Sequence, residues 1–118
     1  MDGVVRTVLG DVPADWIGRT LCHEHVVIDL RELSGDPNHV LLDVEQQIDE
    51  LRQARRLGLS TLVDCTTPEC GRDPLALRTI SQASGVQIVA GTGHHPHEGV
   101  PDSVADRSLR PIAQSAPG

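Results

Sequence analysis

Two histidines flank a glutamate at His23-Glu24-His25. Along an extended strand successive side chains point to opposite faces, so His23 and His25 share one face and Glu24 takes the other. Two neutral imidazoles on one face can hold one divalent metal. The alternative for so short a pattern is a polar strand end whose rings hydrogen-bond locally. Glu24, aimed away from its neighbours, receives no catalytic role. A second histidine group, Gly93-His94-His95-Pro96-His97, follows an apolar run. His94 and His95 read as lining a substrate pocket, with metal binding as the sharper option; Pro96 restricts the loop and disfavours a tight site using all three imidazoles. Asp64 closes the run Thr61-Leu62-Val63-Asp64. A carboxylate there can orient a metal-bound histidine through its second ring nitrogen, cap a turn, or accept a hydrogen bond from Arg72. His39, between Pro37-Asn38 and Val40, reads as exposed.

The elements that must carry these residues alternate. Residues 4–9 are Val- and Thr-rich and pair with residues 12–21 as a hairpin about Gly10-Asp11. Residues 20–28 read as the first strand of the sheet, and residues 29–42 as a loop punctuated by Gly35-Asp36-Pro37-Asn38. Asp43 with Gln46 three residues on is a helix-start signal, and Val44, Ile48, Leu51 and Ala54 form its apolar stripe, with Gly58 just past its end. Residues 61–65 are a second strand. Asp73-Pro74 opens another helix, with Leu77, Ile80 and Ala83 as its buried face and Gly85 at its end. Residues 86–90 are a third strand. Apolar strands alternating with amphipathic helices imply parallel βαβ units. After about residue 100 the pattern fails, so residues 1–100 form the folded part and residues 101–118 a Pro-rich irregular tail.

The string Gly18-Arg19-Thr20-Leu21-Cys22-His23-Glu24-His25-Val26 resembles the N-terminal signature of the phosphotriesterase family of metal-dependent, amidohydrolase-type hydrolases. That signature reads Gly-x-Thr-Leu-x-His-Glu-His-aliphatic. Val5-Arg6-Thr7-Val8-Leu9-Gly10 resembles the family's opening segment. Thr61-Leu62-Val63-Asp64-Cys65-Thr66-Thr67 with Gly71-Arg72-Asp73 resembles its second strand and turn, and Gln87-Ile88-Val89-Ala90-Gly91-Thr92-Gly93 its third strand. The resemblance implies a TIM (β/α)8 barrel, of which the chain holds the first three or so β/α units behind a short hairpin. It implies two divalent metals, zinc in expectation, at the C-terminal mouth, with His23 and His25 as ligands to one of them. It implies hydrolysis of phosphotriester, lactone or related ester bonds by a metal-activated water. A carboxylated lysine, two more histidines and an aspartate are implied on later strands.

Such a barrel takes about 250 residues; this chain has 118 and contains no lysine. The expectation is therefore a truncated chain, inactive alone, whose small-molecule ester substrate requires a completed site. A non-enzymatic metal-binding or interaction module is one alternative; one half of a split hydrolase is the other. Open sheet edges and an uncovered apolar face imply a homo-oligomer or a complementing C-terminal fragment. With 23% charged and 38% hydrophobic residues the chain is not of disordered composition. Its net charge of -7 without a basic stripe argues against nucleic acid and anionic membrane surfaces. No apolar run reaches the roughly 18 residues of a membrane span, and no export signal is visible. Cys22, Cys65 and Cys70 lack Cys-x-x-Cys spacing and suit a reducing cytoplasm.

Overall fold

A computed structural model describes residues 3–93. The expected residues 101–118 tail and the His94-His95-Pro96-His97 loop lie outside the described residues. Among the described residues seven short strands and three α-helices follow one another: β1 (Val4–Thr7), β2 (Gly10–Pro13), β3 (Thr20–Glu24), β4 (Ile28–Asp29), α1 (Arg31–Ser34), β5 (Val40–Leu41), α2 (Val44–Arg56), β6 (Thr61–Asp64), α3 (Pro74–Ser84) and β7 (Gln87–Ala90). The central sheet is parallel, in the order β3-β6-β7, with α2 and α3 as the crossovers. This is the mixed α/β architecture expected of three successive barrel strands.

The helices begin where local chemistry dictates. Asp43 accepts from the Gln46 backbone N–H at 3.0 Å, and Asp73 from that of Ala76 at 3.1 Å. Each carboxylate satisfies one of the orphan donors at a helix start. The capping box at Asp43 is only half formed, because the Gln46 side chain reaches forward to Glu50. Ile48 and Leu51 of α2 and Leu77 and Ile80 of α3 pack with Leu59, Leu62, Val86 and Ile88 in one core. Leu77, Ile80, Val86 and Ile88 are at most 1% exposed, so the tightest packing lies between α3 and its strand.

Four expectations need correction. Val8 and Leu9, not Gly10-Asp11, form the hairpin turn, since Thr7 pairs with Gly10. The Thr7 hydroxyl donates to the Gly10 carbonyl at 2.7 Å and closes that turn. The first barrel strand stops at Glu24 rather than residue 28, because the register against β6 shifts between Leu21 and Glu24 and the chain then turns inward at buried Val26 and Val27. Residues 29–42 are not a plain loop: β4 and β5 pair antiparallel around the single turn of α1. Finally, Ala83 is exposed, while Ser81 and Ser84 are buried on α3. Their hydroxyls explain it: Ser81 donates to the Val86 carbonyl at 2.7 Å and Ser84 accepts the Val86 N–H at 3.2 Å. The helix end and the entry to β7 are thereby tied together.

Candidate metal centre

All three parallel strands run the same way, so Glu24, Asp64 and Ala90 mark one end of the sheet, the C-terminal end. His23 sits on β3 and His25 one residue beyond it. Both imidazoles are exposed, with ring centroids 5.5 Å apart and planes at 70°. Two imidazoles sharing one tetrahedral zinc at about 2.1 Å per Zn–N bond stand with their centroids roughly 5 Å apart. The donor set therefore fits a divalent metal as two of its ligands. Among the described residues no cluster of three or more His, Cys, Asp or Glu side chains gathers here or elsewhere. Catalytic zinc ordinarily takes three protein ligands, so His23 and His25 by themselves would make up part of such a set.

Behind the histidines stands a buried polar clamp. Asp64 is 1% exposed. One of its carboxylate oxygens accepts the Val26 N–H at 2.8 Å and the other the Thr66 N–H at 2.9 Å. The carboxylate thus joins the residue after His25 to the residue two beyond β6. It makes no hydrogen bond to either imidazole. Instead the Thr66 hydroxyl lies 3.0 Å from His25 Nδ1. Of the roles open to Asp64 in the sequence, the structure places it as a turn cap and cross-strand staple, one step removed from the ring.

Arg72 bonds neither Asp64 oxygen. Its Nε donates to the Thr66 carbonyl at 2.9 Å, and its Nη2 donates to the Gly93 carbonyl. Arg72 therefore laces the segments following β6 and β7 together at the same end of the sheet. Gly71, just before it, adopts φ +85° and packs against Asp29, whose Cβ would stand 3.1 Å from a Cβ added there. Thr67, beside Thr66, has a buried hydroxyl without a hydrogen-bond partner among the described residues. His94 and His95 lie outside the described residues. His39 stays at the surface, with Nδ1 2.8 Å from the Ser34 hydroxyl.

The residue that sequence reasoning missed is Thr66. Its signal was an Asp-x-Thr at a strand end, a spacing that forms an Asx turn from carboxylate to the N–H two residues on. What it cannot reveal is the partner across the sheet. A cavity of about 330 Å³ lined by Trp16, Arg55, Ser60, Gly85 and Gln87 opens at the opposite, N-terminal end of the strands, away from the histidines. Among the described residues, no helix is long and apolar enough to cross a membrane.

Known proteins share this sequence and fold. A sequence profile described as the phosphotriesterase family matches residues 3–115. A phospho-furanose lactonase of Mycoplasmopsis agalactiae is 38% identical over 97 residues, covering 80% of this chain and 28% of that protein. An aryldialkylphosphatase of Saccharolobus solfataricus is 31% identical, covering 82% of this chain and 32% of that protein. The crystal structure of a resiniferatoxin-binding protein from Rhodobacter sphaeroides superposes with a TM-score of 0.75 at 32% identity, over 87% of this chain and 37% of that one. The chain spans about a third of the length of the curated relatives it matches.

Proposed function

The chain belongs to the phosphotriesterase family, and from that premise we propose that it supplies the first part of a metal half-site for hydrolysis of phosphotriester, lactone or related ester bonds. The observation that carries this reading is the pair of exposed imidazoles, 5.5 Å apart between centroids, at the C-terminal end of a parallel sheet. That end is where (β/α)8 enzymes build their active sites. The substrate classes follow from the relatives, one described as a lactonase and another as an aryldialkylphosphatase. Borderline-soft imidazole nitrogens suit zinc, and two ions would occupy the completed site. When bound, such a metal polarises the ester and lowers the pKa of a coordinated water.

The chain's own part is to hold and aim. His23 and His25 present nitrogen donors, Asp64 pins the backbone beside His25, and Arg72 fixes the segments after β6 and β7. Two donors among the described residues fall short of the three protein ligands usual for catalytic zinc, so hydrolysis of a lactone or an aryl dialkyl phosphate calls for further donors. The three free cysteines support a reducing cytoplasmic setting.

Calorimetric titration of zinc into the metal-free chain tests the reading. Each of His23→Ala and His25→Ala should weaken binding by roughly tenfold or more, given the sensitivity of metal affinity to ligand loss. Unchanged binding in the double variant would assign the zinc to other residues and sink the proposal.

A further inference from the structure

The Thr66 hydroxyl has two neighbours, His25 Nδ1 at 3.0 Å and the Val27 carbonyl oxygen at 3.4 Å. A carbonyl can only accept, so a hydroxyl that gives its single proton to Val27 turns a lone pair toward the ring. That contact is attractive only when Nδ1 carries the imidazole proton. A neutral ring has one proton, so Nε2 is then left with its lone pair bare. Free histidine in water favours the opposite tautomer, with the proton on Nε2.

We propose that Thr66 is a positioning residue that selects the Nδ1–H tautomer of His25 and so presents Nε2 as the metal-binding nitrogen. The inference rests on the reading of His25 as a ligand. Three observations support it. Thr66 is 1% exposed, so water does not compete for its hydroxyl. Its backbone N–H is fixed by Asp64, whose other oxygen fixes Val26 next to His25. Its carbonyl is held by Arg72. Donor and acceptor are thus anchored independently of any metal, and the ring orientation is set before the metal arrives. Metal-binding histidines generally need such a partner on the second nitrogen, and its loss weakens metal affinity.

The test is a long-range proton–nitrogen correlation spectrum of the ¹⁵N-labelled, metal-free full chain. Wild type and Thr66→Ser should show His25 protonated on Nδ1. Thr66→Val, which keeps the shape and removes the hydroxyl, should move the proton toward Nε2. Zinc affinity should fall roughly 10–100-fold in Thr66→Val and return to within a few-fold of wild type in Thr66→Ser. A wild-type His25 protonated on Nε2 overturns the proposal, and so does a Thr66→Val spectrum identical to wild type. If Thr66→Val fails to fold, the wild-type and Thr66→Ser spectra still decide. Zinc affinity indifferent to His25→Ala, beside an intact tautomer shift, would instead remove the ligand reading and with it the functional meaning of Thr66.

Discussion

Asp64 shows how much a single side chain can fix. Two carboxylate oxygens serve two backbone donors from separate segments. Asp64→Asn retains one acceptor and turns an amide donor on the other N–H. The unpaired buried group should destabilise the fold by about 1–3 kcal/mol, read as a lower urea midpoint at constant slope. Asp29 makes a different prediction. The Arg31 side-chain hydrogen bond, with a backbone bond from the same residue, lowers its pKa from 3.8 to about 2. A depressed carboxylate stabilises the fold above its unfolded pKa, and that contribution disappears as pH falls through about 2. Carbon-detected titration should place the Asp29 midpoint there, and Arg31→Ala should return it to the ordinary range. At this scale the spacing of the two histidines was readable in the sequence, whereas the register shift before Glu24 and the end of β3 ahead of His25 were not. Thr66 was hidden, because its contact with His25 spans 41 positions and no local pattern encodes it.

Among the elements, α2 and α3 were readable from caps and stripes, since Asp43 and Asp73 act within three residues of themselves. The β4–β5 pair was not, because two-residue strands carry no period and form only when Leu30 donates to the His39 carbonyl at 2.8 Å. Ser81 and Ser84 misled for a related reason: polar residues are buried when the neighbouring backbone gives them partners. Gly18 joins the hairpin segment to β3 and adopts φ +59°, with space for a Cβ closed by Ser60 Oγ at 2.7 Å. Gly18→Ala should therefore lose about 1–2 kcal/mol from the left-handed backbone alone, and more from the clash. Thermal melting should show the loss, and combining the change with Ser60→Gly should recover the steric part while leaving the backbone part.

For the molecule as a whole, the decisive fact is a parallel sheet whose two outer strands, β3 and β7, each have one sheet neighbour among the described residues. Leu21 on β3 is 45% exposed, Leu57 just past α2 is 82% exposed, and Leu75 on α3 is 76% exposed. Unpaired edges and uncovered apolar surface favour association. Light scattering after size exclusion should give a mass above the 12.7 kDa of one chain; a concentration-independent monomer would count against that expectation. One edge, however, is not bare. Gln87 and Gly91 direct their N–H groups to β6, so the Ile88 carbonyl faces outward, and there it accepts the N–H of Val8 from the hairpin turn at 2.8 Å. The hairpin is synthesised before any strand of the sheet. Its tip is therefore already made when β7 forms, and the Val8 N–H can occupy that border of the sheet as soon as the border appears.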